Sequence, residues 1–591
     1  MANRPQADVK TMRTTESAVQ ERPTDIDDQS GAGAERRRLQ TWSKAGAPYL
    51  AAVIATIWIF RDVLFRGKLL GQTGDARWTI AVHEHWYQFW RGNESLADMH
   101  YFYPVQGTLG ASDAFLVQGQ LHTLARLFGV DIVDSWVIAQ FLFSLIGAIG
   151  VAVLAGKILR SVWLQVAFVC LTCASYPVIV QSDHVQLIGF LAASWIFVGL
   201  SDLLTLRHPR TGLALLLVVP PLLALSSWYA FVLTGLVLFV LAIFAAVFSG
   251  GRTVMAGIGR ISRATGRALF SPLGAVLLAC GVLGWALVLR VYLPSLGLLP
   301  GGSWIQVTFL SPRWSDILNA TASGGGVWSW LYARWFDPAA VNGEQSFGFT
   351  PILFCFLVFF GLYQLRSGLL HRPSPVDPAG RPGRSALVAL WFTIITVIGF
   401  FLVDERGLSL YRFFWFRIPG LESIRADYRV QTLLYAIAIY LILRSIELCW
   451  LSSVVWRSRA GWRNYVLPVG AACLVLVVFV EMQRPVYTLW TRPQLLAPAL
   501  LAQQDALRQS CDAMILIDEI PEDEGFVNSV DAVILSTVSG VPTPQGYSSG
   551  DPIGHPGPDA DPESLADWLR EQGFTGRLCT VSSQGVQVIG S

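Results

Sequence analysis

Apolar residues run along this chain in blocks of about 18 to 22, parted by polar segments. About 20 apolar residues are what a helix needs to cross the hydrocarbon core of a bilayer. The blocks fall at about 47–65, 135–156, 162–180, 186–205, 212–226, 229–249, 271–292, 349–365, 386–403, 428–447 and 464–482. This pattern predicts a mainly α fold, a polytopic transmembrane helical bundle of about eleven spans. At the tight turn near Trp228, either two spans or one broken helix is compatible with the pattern.

Charge then sets the orientation, because Lys and Arg collect on cytoplasmic loops. Arg36 to Lys44 precede the first block, Lys157 and Arg160 join the second to the third, and Arg207, His208 and Arg210 join the fourth to the fifth. Arg252, Arg260, Arg263 and Arg267 follow the sixth, Arg366, Arg372, Arg381 and Arg384 the eighth, and Arg457, Arg459 and Arg463 the tenth. Every second loop is basic. Residues 1–46 are polar, charge-mixed and aperiodic, so they read as a disordered cytoplasmic arm. They lack the apolar core of a cleaved signal peptide, which makes the first block a signal anchor. The membrane domain is expected over 47–482, with three long outer loops at 66–134, 293–348 and 404–427. The tail, 483–591, is then outside too.

The tail is acidic and changes pattern. It predicts a helix around Leu495 to Leu507, short strands near Ala513 to Ile517 and Ala532 to Leu535, an irregular Pro/Gly/Ser-rich stretch from Val541 to Pro558, and a capped helix from Asp561 to Gln572. Together these suggest a small extracytoplasmic α+β C-terminal domain.

Composition agrees with a membrane protein: 53% of residues are apolar and 14% charged, against about 25% charged in soluble domains. A net charge of +2 with no basic stripe gives no reason to expect nucleic acid as a partner. Lys10, Lys44, Lys68 and Lys157 are the only lysines, an Arg bias that suggests a GC-rich bacterial genome and hence a bacterial inner (plasma) membrane. Cys170, Cys173, Cys280, Cys355, Cys449 and Cys473 sit in apolar blocks, as small core residues do. Cys511 and Cys579 lie in the tail and, if it is outside, are a disulfide candidate closing a long loop.

The first outer loop holds the most chemistry. It reads Gly71-Gln72-Thr73-Gly74-Asp75-Ala76-Arg77-Trp78, and Trp78, Val82, Trp86 and Phe89 then follow helical spacing. A helix so rich in aromatics suits the membrane interface. Asp75 stands just before it and Asp113 before a second amphipathic segment, Phe115 to Phe128; an N-cap is the plain reading of each. Glu84 and His85 would orient Asp75, bind an acceptor, or form an ordinary polar helix face. His83 and His85 lie two apart on a helix and point to different faces, which argues against a metal pair.

A first span followed by a large outer loop that opens on a Gly-Asp pair with two interfacial helices resembles the GT-C superfamily of integral membrane glycosyltransferases. Glu344 to Pro351, and Ile418-Pro419-Gly420 with Ile424 to Arg429, resemble stretches in uncharacterised bacterial members. Tail residues Gln545-Gly546-Tyr547-Ser548 look like a feature of one such subgroup. The resemblance covers about 47–482. It implies a GT-C-like fold and a hexosyl- or pentosyltransferase drawing on a polyprenyl-phosphate-linked sugar donor, with an envelope glycan, lipid or protein as acceptor. It also implies that Asp75 is the general base of an inverting reaction. A carboxylate would take the proton from a hydroxyl that is otherwise a poor nucleophile. A fixed guanidinium would stabilise the departing lipid phosphate. Arg425 and Arg429 suit that role, or else anchor their span at the interface; Arg406, Arg412 and Arg417 share the loop. The candidate substrate-binding set is Arg77, Glu84, His85, Asp113, His184, Glu344, Arg406, Arg412, Arg425 and Arg429. No cofactor is required by this reading; a divalent metal is used in some branches, but no metal ligands are assigned.

Two other classes compete. A lipid or polysaccharide transporter or flippase would show ionisable residues or broken helices in mid-span, often in repeated halves. Few such features occur, with Arg290 and Glu447 near span ends and Pro220-Pro221 interrupting the fifth block, and no internal repeat is visible. A non-catalytic scaffold on a GT-C fold in envelope glycan assembly would use the acidic tail for binding.

Overall fold

The structure is a computed structural model. It describes residues 46–71, 73–180, 184–298, 303–317, 351–370, 383–404, 406–418, 421, 424–452, 469–478, 480, 489–492, 495–517, 525–547, 551–557 and 560–590. Glu344 and most of the 293–348 loop lie outside the described residues.

A helix stands at each apolar block. In chain order they include α1 (Gly46–Ile59), α2 (Arg61–Arg66), α3 (Thr73–Trp90), α4 (Leu116–Leu127), α5 (Ile132–Ile158), α6 (Val162–Cys173), α7 (Val185–Thr205) and α8 (Pro209–Ser226). Then follow α9 (Trp228–Ser249), α10 (Gly251–Leu269), α11 (Pro272–Tyr292), α12 (Trp304–Leu310), α13 (Pro351–Leu370), α14 (Arg384–Phe401), α15 (Leu410–Trp415), α16 (Gln431–Ser452) and α17 (Val469–Val478). Among the described residues, seven helical runs are long and apolar enough to cross a membrane. Four shorter apolar helices stand at the first, eighth, ninth and eleventh blocks.

Near Trp228 two helices are present, not one. Ser227 alone separates α8 from α9; its extended backbone (φ −159°, ψ 98°) ends one helix, and its hydroxyl accepts from Ala230 N at 3.4 Å to start the next. The helices differ in what covers them. The Asp427–Leu448 run is 83% buried and forms the centre of the bundle core, with Leu434, Tyr435 and Ala438 fully enclosed. The α9 and α11 spans are 17% buried, leaving Phe239, Val247 and Leu283 exposed, as expected of a face that lipid covers.

A second core joins the α3–α5 region to the tail: Trp86, Phe102, Phe115 and Trp136 pack with Trp490, Met514, Val533 and Leu535. Polar links follow the same seam. β1 (Leu69–Leu70) pairs antiparallel with β2 (Leu489–Trp490). Arg77 pairs with Asp531 and donates to Leu495 O at 3.3 Å. In the tail, β3 (Ala513–Leu516) lies parallel to β4 (Leu578–Ser582), which runs antiparallel to β5 (Gly585–Gly590). Helix α18 (Gln504–Ser510) precedes β3, and Cys511 is disulfide-bonded to Cys579. The Asp561 cap is present: its side chain accepts from Ser564 N at 2.9 Å at the head of a helix over Pro562–Glu571.

Two tail elements differ from the pattern reading. Residues 532–535, expected as a strand, lie inside a helix, Gly525–Ser539, because a short apolar run has the same signature in a buried helix and a buried strand. The expected Leu495 to Leu507 helix is split, with Pro498–Leu501 and Gln504–Ser510 as separate turns of helix.

Candidate functional site

The site forms where the head of α3 meets the tail and the segment before α16. Helix α3 begins at Thr73, so Asp75 lies within its first turn and is not the cap residue that the apolar spacing suggested. A carboxylate in that position faces the positive end of the helix dipole. His184 Nδ1 donates to Asp75 Oδ2, and the Tyr547 hydroxyl donates to Asp75 Oδ1. The Asp75 side chain keeps 18% exposure and that of His184 12%. Burial pushes the Asp75 carboxyl up. The hydrogen bond and charge of His184, the Tyr547 hydroxyl and the charge of Arg429 outweigh it, holding the group below its ordinary value. Burial and the facing Asp75 charge push the Tyr547 phenol up, so it stays a hydrogen-bond donor.

Each partner is fixed by its own surroundings. His184 precedes a 3-10 turn, Val185–Ile188, and its carbonyl accepts from Leu187 N at 2.9 Å. Tyr547 ends a stretch pinned on two sides. Thr543 N donates to His100 O at 2.8 Å, Tyr103 N to Thr543 O at 2.9 Å and Phe102 N to Gln545 O at 3.2 Å. The Gln545 amide bonds the Leu516 backbone in both directions, at 2.7 and 3.1 Å. Only glycine fits at 546, because a Cβ there would lie 2.4 Å from the Phe102 ring. Trp78 lies beside Tyr547, ring centroids 6.1 Å apart.

Arg429 sits in a 3-10 turn, Asp427–Val430, that leads into α16. Its guanidinium lies 4.6 Å over the Tyr229 ring. The turn is held by Ser311, which donates to Asp427 at 2.9 Å, and by Tyr411, which donates to Ile424 O at 2.8 Å. Arg425 is half-buried, with its backbone N–H donating to Tyr229 Oη at 3.2 Å and its charge acting on Tyr547.

Asp113 is near the same arginine but does other work. It does not cap α4, whose preceding residue Phe115 makes no side-chain cap. Its carboxylate accepts from Trp228 N, at the head of α9. Burial raises this carboxyl to about 6, against the pull of the Trp228 bond and the Arg429 charge.

The remaining candidates are engaged elsewhere. Glu84 accepts from His122 Nε2 at 2.9 Å, Arg126 Nε at 3.0 Å and Gln88 Nε2 at 2.8 Å, clamping α3 to α4. His85 bonds Glu94, which also lies 3.3 Å from His100. Arg77 is taken by Asp531. Arg412 stacks 5.7 Å from the Trp304 ring, and Arg406 is exposed on its loop. No cluster of three or more His, Cys, Asp or Glu among the described residues has metal-binding geometry.

Among the singled-out residues, then, Asp75 and His184 are in contact, the charge of Arg429 acts on Asp75 and on Asp113, and that of Arg425 acts on Tyr547, while Glu84, His85, Arg77, Arg406 and Arg412 have other contacts. Tyr547 was not among the candidates. Its one signal was a Gln-Gly-Tyr run inside a Pro/Gly-rich stretch, where an irregular backbone marks a position fixed for some purpose.

No family model and no curated protein matches this sequence. Among solved structures, the chain is similar to the crystal structure of the Archaeoglobus fulgidus oligosaccharyltransferase in the apo form, at 12% identity and a TM-score of 0.44, over 90% of this chain and 68% of that one.

Proposed function

We propose that the protein is a membrane glycosyltransferase that moves a sugar from a polyprenyl-phosphate donor to an acceptor hydroxyl at the extracytoplasmic face of a bacterial plasma membrane. One observation carries this reading: a partly exposed carboxylate, Asp75, is held by Tyr547 and His184 from two other parts of the chain, with Arg429 close enough to act on its charge.

The chemistry follows from those groups. Each Asp75 oxygen has a second lone pair beyond the one already used. An acceptor hydroxyl donates to it, loses its proton as its oxygen bonds the anomeric carbon, and the bond from that carbon to the phosphate oxygen breaks with inversion. The departing phosphate gains negative charge, which Arg425 and Arg429 stabilise. His184 and Tyr547 hold the carboxylate plane so that the free lone pair faces the acceptor. The disulfide between Cys511 and Cys579, together with the alternation of basic loops, favours an extracytoplasmic tail.

The test is Asp75→Asn in the full-length chain, purified in a bilayer and given a short-chain polyprenyl-phosphate sugar, alongside analysis of lipid-linked sugars in cells. Transfer is expected to fall at least about 10²-fold while the variant still folds and melts cooperatively. Undiminished transfer, or an unchanged pool of lipid-linked sugar in cells carrying the variant, rejects the proposal in favour of a scaffold or flippase.

A further inference from the structure

Helix α10 has a composition unlike any span. Residues 251–269 contain four arginines and no acidic residue. At about 100° per residue, Arg260, Arg263 and Arg267 fall on one side and Met255, Ile258, Ile261 and Leu269 on the other.

Among the described residues, protein cover is greatest towards the C-terminal end of this helix, which also packs near α7 and α8. Its last turn is docked: Ala268 is buried, and a Cβ on Gly274 at the start of α11 would lie 2.0 Å from Ala268 O. Towards the other end the apolar side has little cover, with Met255 69% and Ile258 51% exposed; Phe270, just past the helix, is 95% exposed. The three arginines are exposed as well.

A 19-residue helix with Met255 and Ile258 exposed on one side and three exposed arginines on the other has a definite complement. It is an interface that is apolar on one side and anionic on the other, the boundary between acyl chains and headgroups. We infer that α10 lies in the plane of the membrane and that Arg260, Arg263 and Arg267 bind the headgroups of anionic phospholipids. The apolar side enters the acyl boundary, while the docked end fixes the helix to α11. Basic residues near an anionic lipid surface each add binding energy, so the surface selects anionic over zwitterionic lipid. This requires only that the chain spans a membrane, and it stands or falls apart from the transferase reading.

The experiment uses the full-length chain in bilayer discs made from equal parts of phosphatidylglycerol and phosphatidylcholine. The chain is extracted gently and the retained lipids are quantified. The wild type is expected to retain an excess of phosphatidylglycerol. R260Q/R263Q/R267Q should lower that excess at least about threefold, while R260K/R263K/R267K should keep it. An excess that survives the Gln substitutions, or no excess in the wild type, overturns the inference. A second readout guards against misfolding: a spin label at Ile258→Cys should be shielded from a water-soluble quencher and one at Arg263→Cys exposed to it. A water-exposed label at position 258 would equally overturn it.

Discussion

Helix α3 carries two acids that look alike in sequence, Asp75 and Glu84, and they sit in opposite circumstances. Glu84 is met by His122 and Arg126 of the adjacent α4 and by Gln88 one turn along its own helix. Its charge is spent on a contact between two neighbouring helices. Asp75 is met by His184, 109 residues on, and Tyr547, 472 residues on. It also remains partly open, with 18% exposure against 3% for Glu84. A carboxylate whose partners are local and complete holds structure together. On the proposed function, the exposed edge of Asp75 is where the acceptor hydroxyl would enter.

The sharpest way to break this comparison is to neutralise each acid in turn. Asp75→Asn is expected to reduce transfer at least about 10²-fold and to keep a cooperative fold, with a smaller drop in unfolding temperature than Glu84→Gln. Glu84→Gln should act mainly on stability. It removes a buried charge from Arg126 and His122, and breaking a buried ion pair costs about 3 kcal/mol, visible as a lowered melting temperature with kcat retained. Circular dichroism melts and single-turnover transfer on the same preparations read both. If Glu84→Gln abolishes turnover at full stability, the two acids have been assigned the wrong way round.

The contrast also shows what was legible beforehand. The helices were, because crossing a bilayer demands about 20 apolar residues: a helix stands at each of the eleven blocks, and among the described residues seven of them are long and apolar enough to cross. Asp75 could be singled out at the head of the first outer-loop helix, and His184, Arg425 and Arg429 as charged or titratable groups near the edges of apolar blocks. That they meet could not be read. Their meeting depends on helix packing and on the seam between the tail and the 66–134 segment, which leave no local pattern. Tyr547 is the clearest case: its chemistry is ordinary, and its place is set by backbone bonds from Thr543 and Gln545 to residues 100–103. Asp113 misled for the opposite reason. Its spacing before an amphipathic run matches an N-cap, yet the amide it satisfies, Trp228 N, lies 115 residues away.

Tyr547 offers a smaller test of the Asp75 end. Tyr547→Phe removes one donor to the carboxylate and keeps the ring beside Trp78. The expected loss is about tenfold in kcat, one charge-assisted hydrogen bond, with KM nearly unchanged. With that donor gone the Asp75 carboxyl rises towards its ordinary value, so the acidic limb of the kcat profile should move to higher pH. A structural role alone would lower the melting temperature and leave that limb in place. The Gly546→Ala variant should match the loss in kcat, since its Cβ has no room against Phe102 and must displace Tyr547.

The smallest expected effect lies in Asp113, and its sign is determined. The carboxyl titrates at about 6, with Arg429 acting on its charge. Above pH 6 Asp113 is ionised and partly neutralises the arginine; below pH 6 it is protonated and the arginine's field is available to a phosphate. KM for the anionic donor should therefore fall as pH drops from 7 to 5, by about threefold, the order of one screened charge interaction. Folding stability shifts in the same sense. The native state holds this proton up to a higher pH than the unfolded chain does, so stability declines as pH rises through the interval between the ordinary carboxylate value and about 6. Asp113→Asn fixes the group neutral and keeps an acceptor for Trp228 N. It should give the low-pH KM at every pH and flatten both dependences. A KM that still changes between pH 5 and 7 in this variant would mean that the titrating group lies elsewhere, and that Arg429 does not couple Asp113 to donor binding.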